Sequence, residues 1–399
     1  MKKIKAALAF LLLVSIATTL AGCLMLKDTV VETITVPPIA EQTEAEYSDK
    51  LEEVIEILDK YYIDGYDTSE LDDYLAEAAV AASGDRWSYY MTAEEYASNL
   101  ESENNAYVGI GVTVQLVHED DPGYTIIDVT PNGSAEEAGI LIDDVIVAVE
   151  GQNAIELGMD QLKNLIRGEE GTDVTLTILR GGVEFDVTIT RKTIQIVVVT
   201  YELLENHIGY IKLSQFSHDT ANMTIAAIED LLAQGATALV FDLRFNPGGF
   251  KYELVKLLDY LLPEGPLFRS VDYEGNEEVD YSDESCLELP MSVLINEDSY
   301  SAAEFFAAAL QEYEWATIIG TQTTGKANYQ QTFVLSDGSA IAISTGHYQT
   351  PNGVTLEGIG VTPNVIIEVD EQTYYDLYYN RVQTQDDEQL QAAIAAVKE

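Results

Sequence analysis

The chain divides into three stretches by the spacing of its apolar residues. In residues 44–103 this spacing is three and four, which places apolar side chains on one face of a helix. The clearest such run comprises Leu51, Val54, Ile55 and Leu58. We therefore predict a small N-terminal helical region, in which an aromatic stretch supplies the packing residues Trp87, Tyr89 and Tyr90.

Residues 104–192 have a period of two, which is typical of half-buried strands. Three short strands are followed by a hairpin whose turn contains Gly181 and Gly182. Two short helical segments, residues 134–139 and 159–168, interrupt the strands. The pattern predicts a compact, partly open β-barrel of about 90 residues.

After residue 193, continuous apolar strands alternate with helices. Four of these strands cover residues 208–213, 238–244, 291–296 and 316–320. Strands that are apolar on both faces are typical of a parallel sheet covered by helices. We predict an α/β domain over residues 193–399, in which residues 371–399 form a helical tail.

The net charge excludes one class of partner. The 399 residues include 69 acidic and 20 basic side chains, which gives a formal net charge of −49. No basic stripe is present that would displace counterions from phosphates, so nucleic-acid binding is not expected. The chain has two cysteines, Cys23 and Cys286, and four scattered histidines. This pattern predicts no disulfide framework, no metal site and no cofactor.

The beginning of the chain predicts export. Three lysines precede an apolar run that ends in Leu20-Ala21-Gly22-Cys23. Charge, apolar core and small residues in this order are typical of a signal peptide. A cysteine after Leu-Ala-Gly resembles a bacterial lipobox, which implies removal of residues 1–22 and a lipid on Cys23; an uncleaved anchor helix is the alternative. Residues 23–43 would then tether the protein to the outer face of the cell membrane.

A glycine-rich turn at the end of a buried strand is the first candidate for chemistry. Asn246-Pro247-Gly248-Gly249 follows such a strand and begins a helix. Open α/β sheets bind ligands at the carboxyl ends of their strands. The two glycines leave backbone N–H groups unobstructed, and a helix N-terminus adds positive potential. The turn therefore fits an oxyanion hole, although glycines that serve packing in a tight connection explain it equally well.

Ser301 and Lys326 follow the next two buried strands. Ser301 alone is most simply an N-cap of the helix that follows it. However, parallel strands end at one edge of a sheet, so the turn, the serine and the lysine are expected to lie together. A neutral lysine can act as general base for a serine hydroxyl, and burial favours the neutral form. We therefore expect this site to exclude carboxylates, and Gln330 either to orient Lys326 or to donate a hydrogen bond.

Other nucleophiles fit the sequence less well. The chain contains no Gly-x-Ser-x-Gly, Ser-x-x-Lys or His-Glu-x-x-His motif. A Ser/His/Asp triad would need one of the four histidines, of which only His347 lies among the later strands. Cys286 lies in an acidic loop, which disfavours a thiolate.

The motifs together resemble the carboxyl-terminal processing peptidases, which are tail-specific serine proteases with a Ser–Lys dyad. The later motifs that carry the resemblance are DLRFNPGGF, SYSAAEFFAAAL, GTQTTGKANYQQ and HYQTPNGVTLEGIGVTPNV, and the earlier ones are YVGIGV, PNGSAEEAGILIDDVIVAVEG and LIRGEEGTDVTLTILR. The spacing from Ser301 to Lys326 and on to Gln330 is also similar to that of the family. The resemblance implies a crotonase-like (ClpP/crotonase) α/β core, residues 193–399, with an inserted PDZ domain, residues 104–192.

The resemblance also implies catalytic roles. Ser301 would be the nucleophile, Lys326 the general base and Gln330 a supporting residue. The oxyanion hole would consist of backbone N–H groups. Its donors would be Ala302 together with Gly248 or Gly249.

A second set of residues would bind the substrate's tail. The loop that captures the terminal carboxylate, with the tail added as a strand, would consist of Gly109, Ile110, Gly111 and Val112. Arg167 is a candidate sensor of the bound tail, with an ordinary exposed helix arginine as the alternative. Unfolded or tail-exposing proteins are thus the expected substrates, and the apolar face of the N-terminal helices would serve a homodimer interface as well as a core.

Some positions depart from the family pattern. Near the nucleophile, small residues and a further serine are usual, but this chain has Asp298, Tyr300 and Ala303. Ala327-Asn328 follows the lysine instead of glycine and serine, and Ile142-Asp143-Asp144 replaces Pro-Gly-Asp in the PDZ stretch. No catalytic group is lost, so an altered specificity is expected. The alternatives to an active peptidase are a non-catalytic PDZ adaptor and a crotonase-type enzyme acting on thioesters.

Overall fold

A computed structural model describes residues 48–398, except residues 117, 119 and 120. The predicted signal peptide, Cys23 and the tether lie outside the described residues. The chain divides into two units, one ending at Asp67 and the other beginning at Thr68. Within the described ranges, no helix combines the length and the apolar character needed to cross a membrane.

The first unit contributes one described helix, α1 (Ser48–Tyr61). The second unit begins with helix α2 (Thr68–Ala81), strand β1 (Tyr89–Met91) and helix α3 (Ala93–Glu103). The aromatic stretch that we assigned to a helical region therefore contributes a strand.

Residues 106–195 form a small β domain. Its strands are β2 (Ala106–Gly109), β3 (Val112–Gln115), β4 (Tyr124–Val129), β5 (Val145–Val149), β6 (Gln152–Asn153), β7 (Asp173–Arg180), β8 (Val183–Thr190) and β9 (Lys192–Gln195). Its helices are α4 (Ser134–Glu137) and α5 (Ala154–Ile166). Strands β3, β4, β5, β7 and β8 follow one another in one antiparallel sheet, and β6 pairs with β5.

The small domain has its own core and closely spaced ends. Alternate side chains of its strands, among them Ile126 and Ile146, pack against Leu162 of α5. Strand β2 enters the domain and β9 leaves it, and the two pair antiparallel with Gly109 opposite Lys192. The domain is therefore an insertion whose two connections to the rest of the unit lie side by side.

The rest of the chain contains two sheets. Its strands are β10 (Val199–Leu204), β11 (Ile208–Leu213), β12 (Ala238–Asp242), β13 (Gly265–Asp272), β14 (Glu277–Ser282), β15 (Met291–Ile295), β16 (Ala316–Gly320), β17 (Asn328–Val334), β18 (Ala340–Gln349) and β19 (Val365–Ile366). Its helices are α6 (Thr220–Ala233), α7 (Lys251–Leu261), α8 (Ala302–Glu312), α9 (Glu371–Tyr378) and α10 (Glu388–Ala396).

The first sheet has the order β10-β11-β12-β15-β16-β19 and is parallel except for β10. The sequence of β12 is continuously apolar because its successive side chains pack on opposite faces of the sheet and both faces are covered. Phe241 packs with Phe306 of α8 on one face, whereas Val240 packs with Leu390 and Ile394 of α10 on the other. The predicted parallel sheet, buried on both faces, is confirmed.

The second sheet was not predicted. It is antiparallel, with the order β1-β18-β13-β14, and β17 also pairs with β18. Strand β1 joins it because Met91 lies opposite Ala340 and packs with Ala342 in a small buried cluster. Residues far apart in the chain therefore bring the aromatic stretch beside the later strands.

The C-terminal tail is broken rather than one helix. Helix α9 ends at Tyr378, a 3₁₀ turn covers Thr384–Asp386, and α10 begins at Glu388. Asp387 begins the second helix, because its carboxylate accepts a hydrogen bond from the backbone N–H of Leu390, 2.9 Å away, and thereby caps α10. The same carboxylate contacts the buried guanidinium of Arg244.

Candidate active site

Three neighbouring parallel strands carry the predicted catalytic residues. Strands β12, β15 and β16 are adjacent in the sheet, so their carboxyl ends lie at one edge. The glycine turn follows β12, Ser301 follows β15 and Lys326 follows β16. The structure therefore brings together the three features that the sequence places after separate strands.

Ser301 has an uncommon backbone conformation. Its φ is +58° and its ψ is −125°, in a region that residues with a side chain seldom adopt. It directly precedes α8, and its backbone N–H donates a hydrogen bond to the Oε2 atom of Glu304, 2.9 Å away. Backbone strain of this kind is common at functional sites, where the surrounding structure maintains it.

A cavity of about 380 Å³ contains the candidate residues. Ser301, Lys326 and Gln330 line it together with the glycines of the 246–249 turn. Much of the remaining wall is aromatic and consists of Tyr89, Phe250, Tyr300, Tyr329 and Tyr348. The cavity thus combines a nucleophile, an amine and room for a polypeptide side chain.

The glycine turn lies against the nucleophile. Gly248 has a φ of +88°, and a Cβ atom there would lie 2.6 Å from the backbone nitrogen of Ala302. A Cβ on Gly249, whose φ is +139°, would lie 2.2 Å from the carbonyl oxygen of Phe216. Both positions therefore require glycine, which is why the turn can approach Ser301 so closely.

The backbone donors of this turn differ in availability. The N–H of Gly248 already donates to Oδ1 of Asn246 at 2.8 Å. Ala302 is the first residue of α8, where an N–H has no acceptor within the helix. In the described chain no hydrogen bond uses the N–H of Ala302 or of Gly249. These two groups are thus better placed than Gly248 to bind an oxyanion.

Lys326 is half-buried under two aromatic rings. Its Nζ atom lies 4.8 Å from the ring centroid of Trp87 and 5.8 Å from that of Tyr300. Burial lowers the pKa of Lys326 below its ordinary value of 10.5, and the charge of Arg86 acts in the same direction. The environment therefore makes this amine easier to deprotonate than an exposed lysine, as a general base requires.

The expectation that the site excludes carboxylates is wrong. Asp85, Glu357 and Glu304 all lie close enough to raise the pKa of Lys326, although burial outweighs them. Among the described residues, none of the three forms an ion pair with Lys326. Glu357, for example, accepts hydrogen bonds from the backbone N–H groups of Ala327 and Asn328 at 2.7 and 3.2 Å. These carboxylates bind backbone donors instead of the ammonium group.

Gln330 lines the cavity but does not bind Lys326. Its Nε2 atom donates to the carbonyl oxygen of Asn328 at 3.0 Å and to the hydroxyl of Ser344 at 3.1 Å. Its expected role in orienting Lys326 is thus not visible in this state, and no hydrogen bond joins the side chains of Ser301 and Lys326 in the described chain.

The predicted tail-binding loop borders a second cavity. The cavity measures about 220 Å³ and lies between β3 and α5. Its wall includes Gly109, Ile110, Gly111, Val112, Leu162, Ile166 and Arg167. Most of these side chains are apolar, so the groove suits an apolar peptide terminus.

Arg167 connects this groove to helix α3. Its side chain is 24% exposed and lies over the ring of Tyr107, 4.7 Å from the centroid. Its Nη1 atom donates to the hydroxyl of Ser98 at 2.9 Å. Helix α3 also carries Asn99 and Glu103, which line the Ser301 cavity. Arg167 is therefore a packed, bonded residue and not the ordinary exposed helix arginine.

The alternative nucleophile schemes gain no geometric support. His347 lies on β18, and its Nδ1 atom is 2.7 Å from Oδ1 of Asn328 on an exposed surface. Cys286 is a half-buried free thiol in the loop before β15. Among the residues that the structure describes, no cluster of three or more metal-ligating side chains is present.

Comparison with known sequences assigns a family. Residues 207–367 match the sequence profile of Peptidase family S41, and residues 125–180 match that of the PDZ domain. A carboxy-terminal-processing protease of Bartonella bacilliformis is 34% identical over 319 residues, covering 76% of this chain and 72% of that protein. The chain belongs to peptidase family S41.

Two further S41 relatives define the extent of the likeness. A Staphylococcus epidermidis protein named "Probable CtpA-like serine protease" is 33% identical over 80% of this chain, which spans 65% of that protein. A solved structure from Bacteroides fragilis, named "Putative S41 protease", has 19% sequence identity and a TM-score of 0.56. The match covers 84% of this chain and 92% of that chain. That likeness supports the mixed α/β fold with its PDZ domain.

Sequence reasoning missed three residues of this S41 site. Asp85 and Trp87 lie outside both matched ranges, and the β1–β18 pairing together with the hydrogen bond from Trp87 Nε1 to Glu357 brings this segment to Lys326. Glu304 did leave a sequence signal, since a Ser followed three residues later by Glu is the pattern of a capping box. Its complete burial is what marks it as more than a cap.

Proposed function

We propose that this S41 peptidase is an exported endopeptidase that cleaves proteins near their C-terminal tails, with Ser301 as nucleophile and Lys326 as general base. The observation that carries the proposal is the shared cavity, in which a strained serine, a half-buried lysine and free backbone donors meet at one sheet edge. The crotonase-like description of the core belongs to the same proposal.

The chemistry requires one proton shuttle. Ser301 Oγ would attack the carbonyl carbon of the scissile peptide bond while its proton passes to the neutral Nζ of Lys326. The N–H groups of Ala302 and Gly249 would bind the negative oxygen of the tetrahedral intermediate. When the C–N bond breaks, Lys326 would return the proton to the leaving amine, and a water molecule activated by Lys326 would then hydrolyse the acyl-enzyme.

Lys326 has to approach Ser301 for this reaction. In the structure its ammonium group lies over Trp87 and Tyr300, and catalytic hydrogen bonds often tighten only when substrate binds. A bound polypeptide that fills the aromatic cavity would exclude water from Lys326 and so favour its neutral form.

The PDZ domain would gate this step. We propose that an apolar tail binds as a strand beside Gly109–Val112 and acts through Arg167. The support is the chain of contacts from the groove to Arg167, from Arg167 to Ser98, and along α3 to the catalytic cavity.

We further propose that a lipid on Cys23 anchors the protein to a membrane and that two copies pair through α1. Helix α1 exposes Val54 and Ile57 in the single chain, which is the apolar surface that such pairing would cover. Sedimentation of the chain that begins after Cys23 tests the pairing, and a monomer at all concentrations would contradict it.

Replacing Ser301 tests the catalytic assignment. Protein lacking residues 1–23 is expected to cleave an unfolded protein that ends in apolar residues, and Ser301→Ala should abolish this, because the lysine alone forms no acyl-enzyme. The same substrate with two aspartates added at its end serves as the control for tail selectivity. Equal cleavage by both enzymes would contradict the assignment, whereas tail binding without labelling of Ser301 by a fluorophosphonate would favour the adaptor function.

Removing the PDZ domain tests the gating. Because β2 and β9 lie side by side, residues 110–191 can be replaced by a short Gly/Ser linker between Gly109 and Lys192. We expect the shortened enzyme to lose its preference for apolar over acidic tails. An unchanged rate and an unchanged preference would show that the PDZ domain does not gate the site.

A further inference from the structure

Glu304 is a buried carboxylate that contacts both halves of the catalytic pair. Its side chain is fully buried. Oε2 accepts hydrogen bonds from the backbone N–H groups of Ser301 and Lys326 at 2.9 and 2.8 Å. Oε1 accepts from the hydroxyl of Thr323 at 2.5 Å and from the N–H of Gly325 at 2.7 Å. One carboxylate thus binds the nucleophile's backbone and the loop that carries the base.

This arrangement exceeds an ordinary helix cap. A capping box needs only the contact between Glu304 and the N–H of Ser301. The other three donors belong to residues 323–326, which follow the neighbouring strand β16 and contribute nothing to the helix. Because Ser301 and Lys326 donate to the same oxygen atom, their two backbones cannot separate without breaking a hydrogen bond to a buried carboxylate.

The ionised form of Glu304 fits its surroundings. All four partners are donors, and the Thr323 hydroxyl accepts from the N–H of Val361 at 2.7 Å, so its own hydrogen points at Glu304. Burial raises the pKa of Glu304, while these hydrogen bonds oppose the rise. A protonated carboxyl would need an acceptor, and three of its four partners are backbone N–H groups that supply none.

We propose that Glu304 is a positioning residue that sets the separation and orientation of Ser301 and Lys326. It acts through the two backbones and does not touch substrate. The inference rests on the proposed assignment of Ser301 and Lys326, and it adds a residue that keeps their backbones at a fixed separation.

The charges around Lys326 give the inference a second readout. Asp85 from the loop before β1, Glu357 from the loop after β18 and Glu304 from α8 raise the pKa of Lys326, whereas Arg86 lowers it. Glu304→Gln removes one of the three negative charges. The pKa of Lys326 should therefore fall further, so the rise of activity with pH should move to lower pH.

The experiment compares Glu304→Gln with a matched variant on the same helix. Glu312 also accepts from a threonine hydroxyl and a backbone N–H, those of Thr350 and Asn352 at 2.6 and 2.9 Å, but at the far end of α8. We expect Glu304→Gln to lower kcat about 100-fold with KM within about twofold, since misplacement of about 1 Å costs that much. Glu312→Gln should leave kcat, KM and the pH profile unchanged.

Thr323→Val keeps the inference testable if Glu304→Gln does not fold. It removes one donor to Glu304, and also the acceptor of the Val361 N–H, while preserving shape. We expect kcat to fall about threefold to tenfold with KM unchanged. Melting temperatures of all variants separate loss of fold from loss of positioning.

The outcomes distinguish this inference from the proposed function. A folded Glu304→Gln enzyme with unchanged kcat, or an unchanged kcat in Thr323→Val, would overturn it. Equal losses in Glu304→Gln and Glu312→Gln that follow the melting temperature would also overturn it, in favour of a purely structural carboxylate. Retained activity in Ser301→Ala would overturn the proposed function itself, whatever Glu304 does.

Discussion

At the scale of single residues, Lys326 shows how a base can exist in a strongly acidic chain. Three carboxylates lie near it, yet each uses its oxygens on backbone or side-chain donors. The rings of Trp87 and Tyr300 exclude water from the ammonium group, and burial dominates its pKa. Burial by the local packing therefore lowers the pKa of this lysine even in a chain with a net charge of −49.

The role of Trp87 leads to a prediction about pH. In the proposed mechanism the neutral form of Lys326 is the active one, so kcat/KM should rise with pH around a midpoint below 10.5, the ordinary pKa of a lysine. Trp87→Ala admits water, which stabilises the charged amine, and removes the cation–π contact, which opposes this effect. Because burial is the largest influence on the pKa of Lys326, the midpoint should move up, by less than about one pH unit. Trp87→Phe keeps an aromatic face and should move it less. A midpoint that stays in place in Trp87→Ala would show that Trp87 does not shield Lys326.

The sequence predicted part of this site well. Strand ends in a parallel sheet are neighbours, so the grouping of Ser301, Lys326 and the glycine turn followed from local patterns. Trp87 could not be predicted because its position depends on pairing between residues more than 200 apart in the chain. The acceptor roles of Glu304 depend on burial, which a capping pattern does not reveal.

At the scale of elements, the buried network around Arg244 fastens α10 to the main sheet. Its Nη2 atom lies 2.6 Å from Asp242 of β12 and 2.8 Å from Asp387, the residue before α10. All three side chains are buried. Since removing a partner leaves a buried charge underneutralised, this network should contribute to the stability of the domain.

Replacing Asp387 measures that contribution. Asp387→Asn retains a good helix cap but removes one negative charge from Arg244, and we expect the free energy of unfolding to fall by about 1–3 kcal/mol. Urea denaturation monitored by circular dichroism gives the value. Asp386→Asn, at an exposed neighbouring position, is the control and should change little. If both variants lose the same stability, the network does not hold α10 in place.

The secondary-structure elements differed in how well the sequence predicted their presence and bounds. The strands β12, β15 and β16 are buried on both faces and were predicted within two residues. Strand β1 has three residues, and β17 alternates little between buried and exposed positions, so neither has a clear period. They form because β18 offers them an edge, which is information that no local window contains.

At the scale of the whole molecule, the acidic composition means that membrane attachment would depend on the proposed lipid anchor. Anionic membrane surfaces repel a chain with a net charge of −49, so the polypeptide itself has little attraction for them. Residues 1–43 lie outside the described structure, and the anchor at Cys23 is therefore argued from the sequence alone.

Replacing the anchor cysteine tests this argument. In a chain whose residues 1–22 are replaced by a signal peptide that is cleaved without a lipobox, Cys23→Ser should move the protein from the membrane fraction to the soluble fraction after cell lysis, as detected by immunoblotting. The wild-type protein should stay with membranes during a high-salt wash, because salt screens electrostatic attachment but not a lipid. Release of the wild type by salt, or retention of Cys23→Ser on membranes, would contradict a lipid anchor.

The pairing of β2 with β9 has a consequence for the evolution of such an enzyme. Since the inserted domain enters and leaves through neighbouring strands, it can vary or be exchanged while Ser301, Lys326 and their supporting sheet remain as they are. A new choice of substrate then needs no new chemistry. In the proposed function, selectivity and catalysis would then belong to separate parts of the chain, and the β2–β9 ladder marks the boundary between them.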